Sequence, residues 1–367
     1  MSLHNRCIKS SQTGVGLVEI MVALVIGLVV TLVVTQALSM FEGQKRTTSG
    51  TSDAQTNGSL ALYAMAREAQ MAGFGLPLFG EENSPMKCTS FSPAVDALTG
   101  VATNISPVSI IAGSSNSVSD RVILRFGDSQ FAGVPVKVGS LAGLVVTVPA
   151  TMGCQVGNDV MVVNGTACTL TKVVAISAPP TMQITLASND NVAADADLSC
   201  LGVWRQVEFR VNGSQLERRE MAGGADVVVP IGSEIVALKA QYGISAAGLS
   251  GDLVQANHIV QWVNATGTWA APTTTDRNRI KAIRVAVVAR NSLLEKDDVT
   301  EPCTSTTGPS PKGLCAWDAT SANPDVGSPA PAIDLSGDVN WRRYRYQVFE
   351  TIIPLRNVIW SKNTIKE

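Results

Sequence analysis

Residues 13–30, "TGVGLVEIMVALVIGLVV", decide the fold of this chain because they open an apolar run that contains a carboxylate. The run over residues 20–38 is interrupted only by two threonines and a glutamine. It is close to the ~20 residues that cross a bilayer as a helix. Glu19 stands at its start, five residues after Gly14, and a carboxylate in hydrocarbon is costly unless it is paired. The sequence therefore predicts a membrane-spanning helix whose glutamate finds a partner.

The segment before this run has the charge of a cytoplasmic leader. Residues 1–14, "MSLHNRCIKSSQTG", carry Arg6 and Lys9 and no acidic residue, and positive charge before an apolar segment keeps that end in the cytoplasm. An ordinary secretory signal has its small-residue cleavage site after the apolar core. Here the small residue, Gly14, comes before the core, so cleavage there would leave the helix attached to the mature protein.

Residues 14–19, "GVGLVE", resemble the processing site of type IV prepilins. The resemblance implies that a prepilin peptidase cuts between Gly14 and Val15 and methylates the new α-amine of Val15. Prepilins usually have phenylalanine at this first mature position. The resemblance also implies that Glu19, the fifth mature residue, neutralises the N-terminal ammonium of a neighbouring subunit and sets the axial register. The alternative is that Glu19 only reaches the headgroup region near the helix start.

The helix is expected to continue beyond the membrane and to be interrupted on the way. Residues 42–59, "EGQKRTTSGTSDAQTNGS", contain three glycines, each of which costs about 1 kcal/mol relative to alanine in a helix. A flexible or melted stretch is the expectation there. Apolar residues at helical spacing follow this stretch, and the helix is predicted to stop at two glycines. The predicted buried stripe is Leu62, Met65, Ala66 and Ala69, and the predicted stop is Gly73 and Gly75.

The rest of the chain reads as strands, so the predicted fold class is α+β: a long N-terminal helix packed on an antiparallel β-rich globular head. The clearest hairpin is residues 204–220, where Asn212 and Gly213 suit a tight turn. Other predicted strands are residues 121–126, 143–148, 159–163, 181–186, 235–244 and 280–290, with a loop over 304–331. The predicted divisions are a leader (1–14), a transmembrane half of the helix (15–39), a periplasmic half (40–75) and the head (76–367).

Several segments narrow the resemblance to the minor pilins of the PilW type. They are "SLALYAMAREAQMAGFG", "SDRVILRFGD", "IVALKAQYGI", "IRVAVVAR" and "YQVFETIIPLRN". The resemblance implies a non-enzymatic protein that primes type IV pilus assembly and contributes to the tip complex. Its implied partners are other minor pilins, the major pilin, a PilY-type tip adhesin, the prepilin peptidase and the inner-membrane assembly platform. The implied location is the inner membrane with a periplasmic head, and after assembly the fibre or its tip at the cell surface.

The cysteines fit an exported head. Loss of residues 1–14 would remove Cys7 and leave six cysteines, which allow three disulfides in fifteen pairings. Free buried thiols are the alternative. Short separations favour Cys154 with Cys168 and Cys303 with Cys315, which leaves Cys88 with Cys200.

The sequence contains little that indicates a catalytic, metal or nucleic-acid site. His258 is the only histidine outside the leader, and no nucleophile motif accompanies it. The oxygen-rich stretch with Asp190, Asp195 and Asp197 could hold calcium, but its spacing does not match an EF-hand loop, so no metal or cofactor is predicted. "WRRYRY" (341–346) could stack on bases, but its alternation favours a strand, and a net charge of −2 gives no case for nucleic acid.

Two other functions remain open from the sequence. A pseudopilin of a type II secretion system shares the N-terminal chemistry of a pilin. A membrane-anchored periplasmic binding or enzymatic domain would use the apolar run as a plain uncleaved anchor, and would be indifferent to a change at Glu19.

Overall fold

The computed structural model forms two units, Met1–Gly50 and Thr51–Glu367. The residues that the structure describes are Gly14, 16–76, 84–96, Leu98, 105–131, 133–151, 153–177, 180–247, 257–317 and 328–361, without the side chains of Trp360 and Ser361. The proposed leader before Gly14 lies outside these residues, as does Val15.

Helix α1 (Leu17–Met71) runs through 55 residues, so the expected interruption over residues 42–59 is wrong. In the first unit its apolar part has a mean hydropathy of 2.9 and no buried residue, and it is long enough to cross a membrane. In the second unit packing favours the helix, because Ala54 and Gly58 are buried against the head. Tertiary contacts there outweigh the low helix propensity of the sequence.

The second part of α1 buries one face in the main core of the head. Of the predicted stripe, Met65 and Ala69 are fully buried, whereas Leu62 and Ala66 are only partly buried. The face is instead built at spacings of three and four residues from Ala54, Gly58, Ala61, Met65, Ala69 and Ala72. The helix ends where predicted, because Gly73 and Gly75 take positive φ angles of 80° and 74°.

Seventeen strands and two short helices follow among the described residues. The first nine strands are β1 (Ser90–Ser92), β2 (Val108–Ile111), β3 (Arg121–Phe126), β4 (Val136–Lys137), β5 (Ser140–Ala142), β6 (Val145–Thr147), β7 (Asp159–Asn164), β8 (Ala167–Ile176) and β9 (Gln183–Leu186). The others are β10 (Asp197–Gly202), β11 (Arg205–Asn212), β12 (Gln215–Ala222), β13 (Ala225–Ser233), β14 (Ile235–Ile244), β15 (Gln261–Asn264), β16 (Ile280–Arg290) and β17 (Tyr346–Pro354). The short helices are α2 (Thr274–Arg279) and α3 (Arg356–Ser361).

These strands form three sheets. An eight-stranded sheet has the order β4-β10-β7-β8-β9-β6-β5, with β1 added beside β8; a five-stranded sheet has the order β13-β12-β11-β3-β2; and a four-stranded sheet has the order β15-β14-β16-β17. Every pair of these strands is antiparallel except β1 with β8. The predicted fold class, a long N-terminal helix with an antiparallel β-rich head, is therefore confirmed.

Most predicted strands are present, but "WRRYRY" is not one of them. Trp341–Arg343 form a single 3-10 turn, and β17 begins only at Tyr346. The three arginines of this segment make ion pairs and hydrogen bonds with the loop that follows β16, described below, and those contacts hold the backbone away from a sheet. The described parts of the predicted loop over residues 304–331 contain no strand.

Most of the eight-stranded sheet is formed by a stretch of chain inserted between two neighbouring strands of the five-stranded sheet. Phe126, the last residue of β3, is the direct partner of Arg205, the first residue of β11. The chain leaves the five-stranded sheet at β3, builds β4 to β10 and returns beside the strand that it left. One face of the eight-stranded sheet packs into the main core. The other face has a separate core, to which Val160, Val162 and Leu198 belong.

The disulfides are Cys88–Cys168, Cys154–Cys200 and Cys303–Cys315. The predicted pairing of Cys303 with Cys315 is confirmed, and the predictions of Cys154 with Cys168 and of Cys88 with Cys200 are wrong.

The alternation of side chains along the strands explains both errors. Cys168 pairs in register with Val163, and Cys200 with Val160. Because these two valines are an odd number of residues apart on β7, their side chains point to opposite faces. Cys168 accordingly lies in the main core with Cys88, and Cys200 lies in the second core with Cys154 beside it.

Candidate functional site

The N-terminal end of α1 holds the predicted processing and assembly residues. Gly14 is exposed, α1 begins three residues later at Leu17, and Glu19 is exposed in the first turn of the helix. The amide of Glu19 donates to the carbonyl oxygen of Gly16 at 2.9 Å. The first turn presents backbone N–H groups without helical partners, which favours a carboxylate there. The helix backbone therefore tolerates the charge of Glu19, and the Glu19 side chain remains available to a partner.

The side of α1 that carries Glu19 is lined with small residues. Ala23, Gly27 and Thr31 follow it at intervals of four residues, and all are exposed. Small side chains let a second helix approach closely in a membrane. The hydroxyl of Thr31 donates to the carbonyl oxygen of Leu28 at 2.8 Å, so that this polar group is satisfied within the helix, as hydrocarbon requires. Glu19 has no ion-pair partner among the described residues.

The residues weighed as metal or catalytic candidates are apart from one another. His258 is exposed, and in the described part of the chain no three His, Cys, Asp or Glu side chains are gathered to hold a metal. The carboxylate of Asp190 accepts hydrogen bonds from Ser92 (2.7 Å) and Ser188 (2.9 Å), and these bonds lower its pKa. Asp190 is thus held by hydroxyl groups of the chain itself, and Asp197 pairs with Lys137 at 3.1 Å.

The three guanidinium groups of the arginine-rich segment have partners within the molecule. Arg342 pairs with Asp298 at 3.4 Å and also with Glu301. Arg345 pairs with Glu295 at 2.8 Å, and Arg343 donates to the backbone carbonyl oxygen of Glu295 at 2.8 Å. An acidic loop therefore occupies the guanidinium groups that the base-stacking alternative would have needed.

Buried polar side chains in the head were not predicted by the sequence patterns. Arg284, in the middle of β16, is fully buried between the rings of Trp262 and Trp317, with ring-centre distances of 5.1 and 4.6 Å. It donates to Gln241 Oε1 at 2.5 Å and to the carbonyl oxygen of Pro329 at 2.9 Å, and its burial lowers its pKa to about 10. This arrangement ties the loop after residue 327 to the sheet. The only signal in the sequence is an arginine in the middle of a strand that is mainly apolar.

A second buried set fixes the junction of the two smaller sheets. The hydroxyl of Tyr242 on β14 accepts a hydrogen bond from the amide of Ile110 on β2, at 2.5 Å, and burial raises its pKa to about 12. Arg125 lies 3.4 Å from Asp96, and burial lowers the pKa of its guanidinium. All three ionisable side chains are buried, so their arrangement suits a scaffold better than a surface that binds a partner.

Comparison with known proteins gives a family match over the part of the chain that holds the four-stranded sheet and three strands, β11 to β13, of the five-stranded sheet. The family model of type IV pilus-assembly protein W, PilW, matches residues 207–357, from β11 to α3, and confirms the predicted resemblance over that part. No curated protein matches the chain. Among solved structures, the type IV-like pilin TTHA1219 from Thermus thermophilus is 12% identical, with 82% of this chain and 94% of that chain covered, at a TM-score of 0.30. A likeness that weak carries no argument about function.

Proposed function

We propose that the protein is a minor pilin, which helps to prime the type IV pilus fibre and contributes to its tip complex, because residues 207–357 match the PilW family model. The family description supports a part in pilus assembly in general. The role in priming, the place at the tip and the processing at Gly14 are the finer steps of the proposal.

The observation that carries the proposal is the apolar, fully exposed first part of α1, with Glu19 at its start. A buried valine, leucine or isoleucine side chain is favoured by about 1.5–3 kcal/mol over an exposed one, so this helix cannot remain in water. It fits a bilayer, or a bundle of similar helices. The large apolar side chains that are exposed there include Leu17, Val18, Ile20, Val22, Leu24, Ile26, Leu28, Leu32 and Val33.

Glu19 distinguishes a pilin from a plain membrane anchor. An anchor gains nothing from a carboxylate at the edge of its apolar run, because a charge there is costly without a partner. Processing between Gly14 and Val15 would create that partner, the α-ammonium group of Val15, on every mature subunit. Glu19 of one subunit and Val15 of the next would then form an ion pair in hydrocarbon, where pairing is worth most.

The proposal fixes the partners and the location. Before assembly, the helix holds the protein in the inner membrane with its head in the periplasm, where the three disulfides can form. After assembly, the protein lies in the fibre or at its tip, with other minor pilins, the major pilin and a PilY-type adhesin. A pseudopilin of a type II secretion system would share this chemistry, but the family match favours the pilus.

The first experiment is to determine the mature N-terminus by mass spectrometry, in cells with and without the prepilin peptidase. We expect a chain that begins at methylated Val15 only when the peptidase is present. A chain that retains residues 1–14 in both strains would contradict the proposal and favour the uncleaved anchor.

A further inference from the structure

The five-stranded sheet ends at a strand whose outer edge faces solvent. Strand β13 pairs with β12 on one side, and within the described residues no strand pairs with its other side. Three consecutive valines on β13, Val227, Val228 and Val229, are exposed by 51%, 45% and 43%. An open edge with unpaired backbone groups and apolar side chains is a template for another strand.

Edge strands are usually protected from pairing with another strand by prolines, bulges or charged side chains. In β13 such features are confined to one end. Pro230 and the bulge next to it, where Ile231 is an extra residue of β13 opposite Leu216 and Glu217, prevent regular pairing at the C-terminal end. Residues 225–229 contain no lysine and a single charge, Asp226, which Arg219 holds with two hydrogen bonds of 2.9 and 2.7 Å. The first five residues therefore remain both accessible and electrically neutral.

The turn before β13 determines which backbone groups are free. Gly223 and Gly224, with φ angles of 58° and 93°, make a two-residue turn, so the flanking pair of residues 222 and 225 is hydrogen-bonded. Because bonded and non-bonded pairs alternate along an antiparallel ladder, Asp226 and Val228 direct their N–H and C=O groups outward. Pro230 is the next outward position and has no N–H. The edge thus offers four backbone hydrogen bonds and then ends.

The side chains of an added strand would meet apolar residues mainly on one face, the face that α1 covers. Val229 is opposite Arg218, whose guanidinium lies 2.9 Å from Glu68 of α1, so Val227 and Val229 are on the face that α1 covers. Near the other end of β13, Asn57 of α1 donates to Ser233 Oγ at 3.1 Å. Leu60, at helical spacing between Asn57 and Glu68, is exposed. Val228 faces the opposite side.

We propose that residues 225–229 of β13 accept an extended, apolar segment of another pilin as a sixth strand of this sheet. The inference rests on the proposed function, because it assumes that pilin subunits meet. Main-chain hydrogen bonds at Asp226 and Val228 would hold the segment, and Val227, Val229 and Leu60 would select β-branched or other apolar residues at alternate positions.

The size of the edge favours a partner that is already held close. Five residues are far fewer than the roughly 20–30 residues a side of a standard stable interface, so the edge is too small to hold together two copies that meet freely. Pilins whose helices lie side by side in a membrane or fibre meet at a high effective concentration. There, a short strand contact is sufficient to set which subunit lies next to which.

Photo-crosslinking in the full-length chain, in cells that make pili, tests this directly. We expect Val228→p-benzoylphenylalanine to crosslink to a second kind of chain that carries its own N-terminal pilin motif, at an extended apolar segment. The control is the same replacement at Val174 of β8, which is 53% exposed. The proposal fails if position 228 gives no adduct, the same adduct as position 174, an adduct with a second copy of this chain, or one with a protein that is not a pilin.

Backbone chemistry gives a second test in the same cells. Val228→Pro removes an outward N–H and leaves the pairing with β12 intact, whereas Val228→Thr keeps the N–H and nearly the same shape. We expect Val228→Pro to reduce the recovered pili at least tenfold and Val228→Thr to stay within twofold of the wild type. Equal piliation of the two variants would overturn the inference.

The two proposals fail in different ways. If the wild-type chain keeps residues 1–14, the minor-pilin function fails, whatever the edge does. The chain can also be processed and required for pili and yet give no crosslink to another pilin at position 228, with equal piliation of Val228→Pro and Val228→Thr. In that case only the strand inference fails. Thermal unfolding of each purified full-length variant checks its fold, and if Val228→Pro is unfolded the crosslinking result decides.

Discussion

The two parts of α1 have the same secondary structure and opposite surroundings. Along residues 17–50 the apolar side chains face outward and almost none is buried, whereas along residues 51–71 one side of the helix is buried in the head. Met40 and Met65 show the contrast, with 70% and 1% of their surface exposed. The first part therefore provides surface for other molecules, and the second provides core for this one. A substitution in the first part should alter assembly, and one in the second should alter stability.

The largest expected effect is at Glu19. If its carboxylate pairs with the ammonium of a neighbouring subunit, Glu19→Ala should reduce the amount of this chain in sheared pili at least tenfold, because an uncompensated ammonium is left in hydrocarbon. The control is Glu42→Ala, which removes an exposed carboxylate of the same helix beyond the apolar run. The unfolding of the head should be unchanged in both variants. If Glu19→Ala and Glu42→Ala enter pili in equal amounts, the first part of α1 has no assembly role that depends on Glu19.

The methionine pair tests the contrast in stability. Met65→Ala should lower the free energy of unfolding of the head by about 2–5 kcal/mol, because it leaves a cavity in the main core. Met40→Ala should change it by less than about 0.5 kcal/mol, as is usual for exposed positions. Guanidinium unfolding of the full-length protein in detergent micelles, followed by tryptophan fluorescence, measures both. Similar losses for the two variants would show that the first part of α1 also supports the head.

Two glycines of α1 should respond to the same substitution with different signs. A Cβ at Gly58 would clash with the ring of Phe349 on β17, so Gly58→Ala should cost about 1–3 kcal/mol through overpacking. A Cβ at Gly43 meets nothing within 4 Å, so Gly43→Ala should add up to about 1 kcal/mol to helix stability. The comparison needs chemical unfolding of the head and helix content by circular dichroism. A stabilised head in Gly58→Ala would mean that Phe349 moves away without loss.

Gly58 also shows where prediction from the sequence stops. Helix propensity counts it as a cost, and the close approach of Phe349 that makes it useful depends on a residue almost 300 positions away. The cysteines have the same limit: short separations identify Cys303 with Cys315 within one loop, but Cys168 and Cys200 are assigned by the faces of a sheet whose register is not local. Strand β13 is not among the predicted strands, and its proline, Pro230, is tolerated because the strand lies at an open edge.

Local patterns did predict the elements that are decided locally. The strands β3, β14 and β16 are rich in apolar and β-branched residues, and α1 ends at its two glycines. The hairpin of β11 and β12 is present, but its turn is Gly213 and Ser214, with φ of 62° at Gly213, and Asn212 is still paired with Gln215. The segment with Gly14, Val15 and Glu19 was also found from sequence alone, since its signal is the order of residues and needs no fold. Processing at Gly14 and pairing of Glu19 stay predictions until the experiments above are done.

The smallest expected effect is at the far end of α1, where a distant residue completes the helix. Asn357 of α3 donates its side-chain amide to the carbonyl oxygens of Ala72 (3.1 Å) and Gln70 (3.3 Å), which the helix itself leaves without partners. Asn357→Ala should lower the free energy of unfolding by about 1 kcal/mol. Asn357→Asp should cost more, because a carboxylate there faces the negative end of the helix and accepts rather than donates.

The order of these two variants separates capping from mere packing. Aspartate has almost the shape of asparagine, so if Asn357 only fills space, Asn357→Asp should be the milder change; if its amide caps α1, Asn357→Asp should be the more harmful. Neither should alter the amount of chain that enters pili, provided that the head remains folded at the assay temperature. A loss of incorporation in a stably folded Asn357→Asp variant would show that the second part of α1 acts in assembly as well, and the division between the two parts of the helix would no longer hold.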